Sequence, residues 1–500
     1  GGAYYDITPL RATTTLTNPF ATILDSSTVT VTDAAGGFIN GDYVTFSGST
    51  AIGGITLLGE YKLTLQNSTT YSITAESEVT IVLSTGVFTA QYQLANGVKV
   101  VLSTTGALPT GFTAGTTYYV VNTSGYTFQL AATLGGTAIT PSGSQSGVHT
   151  ATAKATSTTA SGGGTVYAMY QINVGPEYAV AVSGWGASTW GSGTWGIGAT
   201  GTDAMRLWSQ ANFGEDLIYG PRGGGMYYWN ASYALTGSTF TVTIATPAVL
   251  TLGFNPVNGD AISFTTTGAL PTGILPGTTY YVINATTNTC NIAATSGGSA
   301  INTSGTQSGT HSVSSRGISL SSLSSASAVP TVQNFIFVSD TSRFVFAFGC
   351  NDYGSTVQDP MLIRWSDQES AVNWTPSATN QAGSLRLSHG SQIITCLQTR
   401  QEIVVFTDSS VYSLQYLGAP TGSGNQILGD NISIMGQNAV SQAGGVIFWM
   451  GTDKFYKYDG RVQTLRCDLR QYIYSDINLA QGAQVCSGTN EGFNEVWWFY

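Results

Sequence analysis

The sequence repeats itself. GALPTG at 106–111 recurs at 268–273, and GTTYYVVN at 115–122 recurs as GTTYYVIN at 277–284. The match runs without a gap from Gly106–His149 to Gly268–His311, with about 27 of 44 positions identical. A constant offset over that length marks duplicated modules of one fold. A third, diverged copy lies upstream, where Asn40-Gly41-Asp42-Tyr43-Val44-Thr45-Phe46 parallels Asn258-Gly259-Asp260-Ala261-Ile262-Ser263-Phe264. Gly59-Glu60-Tyr61 and Thr70-Tyr71-Ser72-Ile73 follow in the same order as in the other copies. Each copy alternates apolar and polar residues between Gly and Asn turns, as Ser27–Asp33 does with Val and Thr. That is the strand signature. Each copy is therefore predicted to be a small β-barrel or sandwich of roughly 60–70 residues, close to the lower limit for folding alone. The three inserted modules are placed at 18–95, 96–160 and 249–318.

Between the modules the texture changes. All ten Trp fall in 166–248 and 319–500, and most of the Arg fall there too. The modules thus read as insertions into an aromatic-rich host made of 1–17, 161–248 and 319–500. The host carries hairpins of its own. Phe335–Val338 leads to Phe344–Phe348, Glu402–Phe406 to Val411–Tyr416, and Val446–Met450 to Lys454–Gly460. A spacing of some 40–60 residues between such hairpins is the rhythm of β-propeller blades, with a large β-sandwich as the competing architecture. Helix is expected to be scarce: 358–372 has room for a short turn, but Pro360 opposes a long helix. The fold class expected is all-β, a β-propeller-like host domain with inserted small β-barrel or sandwich repeat modules.

Charge narrows the function. Only 8% of the 500 residues are charged, against about a quarter in ordinary globular chains. The net charge is −10, with 16 Lys and Arg and no basic run. Gripping nucleic acid needs a basic face that displaces counterions, so sequence-specific DNA binding is not expected. The five cysteines (Cys290, Cys350, Cys396, Cys467, Cys486) are scattered and odd in number, and there are three His. Neither a disulfide framework nor a zinc site is expected, and no cofactor is implied. No apolar run approaches the roughly 20 residues of a membrane helix, so no membrane span is expected. The chain opens Gly-Gly-Ala without Met and closes inside the strand-like run 495–500, so further sequence is expected beyond both ends.

Candidate chemistry is thin. Glu215-Asp216, Asp367 with Glu369, and Asp468 are the visible carboxylate clusters. A glycosidase needs two carboxyls facing across a cleft, whereas neighbours on a strand point to opposite faces. His149 and His311 occupy equivalent repeat positions and read as turn or packing residues, and His389 stands alone. Gly223-Gly224-Gly225 lacks the Lys-Ser/Thr ending of a phosphate loop and precedes Met226-Tyr227-Tyr228-Trp229, so it reads as a turn before a strand. Ser366-Asp367 with Asn373-Trp374 resembles the Asp-box hairpin of sialidase-like propellers, in which the Asp caps a turn and the Trp packs. Trp185, Trp190 and Trp195 recur every five residues in a GWG…TWG…TWG run. They read as anchors pinning a glycine-rich loop to a neighbouring subunit or domain, with a stacking surface for sugars or bases as the other reading. No catalytic or metal-binding residue is assigned.

Several host segments resemble the tail nozzle, or tail tubular protein B, family of short-tailed bacteriophages (podoviruses). They are GGAYYDITPLRATTTLTNPF at the start, MYQINVG at 169–175 with the GWG…TWG…TWG loop, MLIRWSDQESAVNWTPS, RQEIVVFTDSSVYSLQY and VIFWMGTDKFYKYDG. RLWSQANFGEDLIYGPRGGGMYYWN at 206–230 is the most specific, through Arg206, Trp208, Phe213, Gly214, Glu215, Asp216, Pro221, Arg222 and Gly223. The resemblance implies a propeller-based, non-enzymatic virion subunit, assembled in the bacterial host cytoplasm. It implies a homohexameric ring that binds the tail adaptor protein and the tail fibres or spikes. It also implies a conduit through which double-stranded DNA passes without sequence-specific contact. A receptor-binding tail fibre or spike, a carbohydrate-binding adhesin and a propeller enzyme are the alternatives.

Overall fold

The computed structural model describes residues 5–175, 206–235, 239–275, 278–418 and 422–500. The chain is almost all β, with two closed six-stranded barrels and several open sheets. It divides into two compact units. One gathers Gly1–Asn173 and Tyr233–Ile318, the other Val174–Ser232 and Ser319–Tyr500.

The two barrels of the first unit are the duplicated modules. The first barrel runs in the cyclic order Glu76–Val82, Val87–Thr89, Thr127–Ala131, Thr117–Ser124, Lys99–Thr104, His149–Lys154. The second runs Thr239–Val242, Leu250–Thr251, Thr289–Ala293, Thr279–Ile283, Ala261–Thr266, His311–Ser315. Strand for strand this is one topology, at one sequence offset except in the first strand, where Val79 and Phe240 face the equivalent His149 and His311 one residue out of step. It starts some thirty residues before the identical stretch at Gly106, where identity has faded and only the alternation survives. Val100 and Leu102, Tyr118 and Val120, and Phe128 and Leu130 point into the first barrel; Ile262 and Phe264, Tyr280 and Val282, and Cys290 and Ile292 point into the second. Inward positions two apart on each strand fill these small barrels. Phe88 stacks on Phe128 with ring centres 5.5 Å apart and meets Phe112 edge-on at 5.2 Å.

The diverged copy has the same cyclic order with two strands broken. Gly59–Lys62, Tyr43–Ser47, Thr165–Gln171 and Leu10–Thr17 form one sheet; Thr159–Gly162, Phe20–Thr22, Thr28–Thr32, Thr70–Thr74 and Thr64–Leu65 form the other. Leu10–Thr17 runs on into Phe20–Thr22, and Gly59–Lys62 into Thr64–Leu65. Between the first pair stand Asn18, at φ 48°, and Pro19, which has no N–H for the ladder. All three copies share one corner. Gly41, Gly97 and Gly259, at φ 86°, 88° and 99°, donate to the carbonyls of Leu63, Val120 and Val282. The preceding Asn40, Asn96 and Asn258 accept the N–H groups of Leu65, Thr123 and Ala285. Glycine is required because a Cβ is strained at such φ.

These strands do not follow the linear boundaries expected from sequence. Glu76–Val82 and Val87–Thr89, placed with the module at 18–95, are walls of the first barrel. Leu10–Thr17 and Thr165–Gln171, placed with the host, pair with each other and, through Tyr43–Ser47, complete the diverged copy. The first barrel is thus inserted into that copy ahead of its last strand.

The second unit is built of antiparallel meanders. The first contains Trp208–Phe213, Asp216–Pro221 and Tyr227–Trp229. Three four-stranded sheets follow in chain order: Phe335–Val338, Val345–Phe348, Leu362–Trp365, Gly383–Arg386; then Ile393–Gln398, Ile403–Thr407, Ser410–Gly418, Gly422–Asp430; then Val440–Ala443, Val446–Met450, Phe455–Tyr458, Val462–Leu465. Residues Leu362–Trp365, in the region where a short turn was considered, are strand.

Alternation explains why inner strands such as Val345–Phe348 and Ile403–Thr407 are buried at every position. Val345 and Ala347 pack with Ile218, Met226 and Trp374 against the preceding sheet, while Phe346 and Phe348 pack with Val405 and Leu414 against the next. Val404 and Phe406, on the far face of that next sheet, pack with Ile447 and Trp449 of the last one. The two middle sheets are thus covered on both faces by their neighbours in sequence, and the cores lie between the sheets. A near-continuous apolar run is what two-sided burial demands.

Candidate functional site

The segment 206–230, singled out in the sequence, folds as a hairpin and a following strand whose side chains tie sheets together. Trp208–Phe213 pairs in register with Asp216–Pro221, and Gly214, at φ 68°, turns the chain beside the exposed Glu215. Asp216 accepts from the Tyr228 hydroxyl at 2.6 Å and from the Ala231 N–H at 2.9 Å. Trp208 stacks on Tyr219 with centres 6.1 Å apart and donates its indole N–H to Val174 at 3.1 Å. Phe213 packs at the edge of the core around Trp374. Arg206 lies against Gly175, where an added Cβ would meet the Arg206 Cβ at 2.8 Å.

The turn after Pro221 is locked to the next sheet. Gly223, at φ 71°, donates to the Gln333 carbonyl at 2.7 Å, and the Gln333 N–H donates to Gly224 at 3.0 Å. The Gln333 side chain is fully buried and donates to the Pro221 carbonyl at 3.0 Å. Gly220 permits this approach, since a Cβ there would stand 2.3 Å from the Gly225 carbonyl oxygen. Arg222 reaches further, to the sheet after that. Its guanidinium donates to the carbonyls of Ile394 at 3.1 Å and Ile393 at 3.2 Å and to the Gln392 side chain at 3.1 Å. Burial lowers its pKa from the ordinary arginine value. Gln437, which leads into the last sheet, donates to the Trp208 carbonyl at 2.8 Å. One hairpin thereby bonds to all three later sheets. Trp185, Trp190 and Trp195 lie outside the described residues.

The Asp367 hairpin is structural. Asp367 Oδ1 accepts the N–H groups of Gln368 and Gln381, both at 2.9 Å, while Trp374 is fully buried and donates to the Ala371 carbonyl at 2.8 Å. Ser366 Oγ accepts the Val345 N–H at 3.0 Å.

Two polar clusters were not visible in the sequence. His389 Nδ1 lies 3.4 Å from Asp430 Oδ2, and Ser410 donates to Asp430 Oδ1 at 2.7 Å. The Ser410 hydroxyl, the Asn431 N–H and His389 hold the Asp430 carboxyl below its ordinary pKa. The types are those of a hydrolase triad, but the serine bonds the carboxylate rather than the imidazole, so no base is positioned to take its proton. In the second cluster Glu402 accepts from Ser413 and, at 2.6 Å, from Tyr458. Burial and then the Glu402 carboxylate push the Tyr458 phenol up. These residues are 11 to 56 positions apart, and only sheet pairing and packing bring them together.

Among the described residues no group of three His, Cys, Asp or Glu side chains is placed to hold a metal ion, and no helix is long and apolar enough to cross a membrane. No protein-family model matches the chain, and no curated protein matches it.

Proposed function

We propose that this chain is a structural virion protein, a tail nozzle subunit of a short-tailed phage, in which successive meanders act as blades of a propeller-like body. In this reading six copies form a ring that meets the tail adaptor on one side and fibres or spikes on the other, and DNA leaves through the centre. The observation that carries the reading is the hairpin at 206–225. The residues most like the nozzle family are those that rivet four consecutive sheets, through Arg222, Gln333 and Gln437. A ring that holds together while DNA moves through it needs such a stiff body. The net charge of −10 supports the same reading, because a neutral-to-negative wall does not trap phosphates. Of the carboxylates that a propeller hydrolase would draw on, Asp367 and Asp216 accept N–H groups of the chain's own backbone, and Glu215 stands exposed at a turn.

Particle imaging of the full-length protein, alone and mixed with its tail adaptor, tests the proposal. A six-fold ring with a central channel is expected. A three-fold elongated particle would favour the fibre reading, and a monomer that ignores the adaptor would overturn the ring.

A further inference from the structure

A groove of about 460 Å3 opens in the first unit, between the sheet containing Leu10–Thr17, Thr165–Gln171 and Tyr43–Ser47 and the wall of the second barrel at Thr278–Tyr280. Strand register composes its floor. Met169 stands between Thr13 and Thr45, and one row along Tyr167 stands between Thr15 and Ser47. Positions two apart on a strand share a face. The floor therefore sets a thioether and a phenol ring, each flanked by hydroxyls, side by side, and Tyr167 is 38% exposed. On the barrel wall, Thr279 is only 5% exposed, and its hydroxyl has no hydrogen-bond partner. Tyr280, the next residue, turns its ring into the barrel core, and its hydroxyl accepts the Leu275 N–H at 2.8 Å. The groove's described lining contains no Asp, Glu, Lys or Arg.

This chemistry selects a ligand. An ion entering here would lose hydration and meet no counter-charge. A wholly apolar molecule would cover the Thr45 and Ser47 side chains of the floor without bonding their hydroxyls. A neutral sugar satisfies both conditions: its hydroxyls exchange hydrogen bonds with Thr and Ser, and its C–H face packs on a tyrosine ring. The volume lies within the roughly 300–1,000 Å3 of small-molecule sites. We infer that this groove binds a segment of a neutral oligosaccharide. The inference does not depend on the ring assembly.

The test is saturation-transfer NMR and calorimetry on the full-length protein with maltohexaose, cellohexaose, mannohexaose and chitohexaose as probes. At least one is expected to bind. Tyr167→Ala should then raise the dissociation constant about tenfold or more, Ser47→Trp should abolish binding by filling the groove, and Thr45→Val should weaken it at nearly constant shape. Thermal melts are run on each variant. If Tyr167→Ala melts early, the other two decide. Binding of none of the four sugars, or affinity unchanged by every well-folded variant, overturns the proposal.

Discussion

Thr104 and His149 face each other across adjacent strands of the first barrel, with Oγ1 2.8 Å from Nδ1, and Thr266 and His311 repeat the contact at 2.8 Å in the second. Each threonine hydroxyl also accepts a glycine N–H at 3.1 Å, from Gly106 and Gly268. Both histidines are buried strand residues, so of the two roles read from their repeat positions, turn or packing, the structure assigns packing. Thr104→Val keeps the shape and removes the hydroxyl, leaving a buried ring nitrogen unpaired, at a cost of about 1–3 kcal/mol. Thr266→Val should cost the same to within about 0.5 kcal/mol. Hydrogen exchange resolved to each barrel measures both. Unchanged protection in the mutated barrel would mean that the contact does not hold it together.

The all-β character and the modules were legible because the signals are local. Thr28–Thr32 alternates Thr and Val, and Val29 and Val31 are indeed the buried positions. The limits of the modules were not legible. Val79 and Ile81 in one barrel and Phe240 and Val242 in the other do the same packing with different side chains, so identity vanished where structure did not. The last strand of the diverged copy, Thr165–Gln171, is separated from its partners by a whole inserted barrel, and pairing at that distance leaves no mark in composition.

Arg222 is the polar residue of the hairpin with the longest reach, and its planar fork suits two adjacent carbonyls. Arg222→Ala should destabilise the second unit by about 2–3 kcal/mol, the scale of hydrogen bonds made by a charged donor. Arg222→Lys should recover less than half, because an ammonium cannot span Ile393 and Ile394 in the same geometry. Urea titration of the three proteins checks this. A lysine variant as stable as the parent would show that charge alone suffices.

The motif around Arg222 was legible as special, but its role was not. Sequence gave no reason to connect Pro221 with Gln333 or Trp208 with Gln437, because a glutamine in a loop carries no periodicity. The same holds for His389, Ser410 and Asp430: the last two are paired across adjacent strands, and the loop before Ile393 brings His389 to the same sheet end.

Tyr61, Tyr71 and Tyr92 are 3%, 0% and 0% exposed, and burial pushes all three phenols well above the ordinary 10.0. Their protons stay on in the folded state while the unfolded chain releases them above pH 10. Stability is therefore intact below that pH and is lost as pH rises beyond it, by about 1.4 kcal/mol per pH unit for each residue. Tyrosinate absorbance should rise in two stages, exposed residues first and the buried set together with unfolding. A single smooth titration of all tyrosines without loss of circular dichroism would contradict the packing of the first unit.

The five thiols provide a reading of both units at once. Cys486 is exposed, Cys467 half-buried, and Cys290, Cys350 and Cys396 buried. Burial pushes Cys290 and Cys350 up to about 12 and Cys396 well above the ordinary 9.0. Because the thiolate is the nucleophile, a buried thiol is slow twice over, by access and by protonation. With Ellman's reagent at neutral pH the native protein should release one equivalent fast, from Cys486, and a second slowly, from Cys467. The other three should appear only in denaturant. Raising the pH to 9 should still leave Cys290, Cys350 and Cys396 silent, since their folded values lie far above that pH. Cys290 lies inside the second barrel, and Cys350 and Cys396 lie in two successive cores between sheets. Substituting each to Ser in turn therefore reports which core opens first. Fast reaction of any of the three in the native protein would mean that its core is not closed as described.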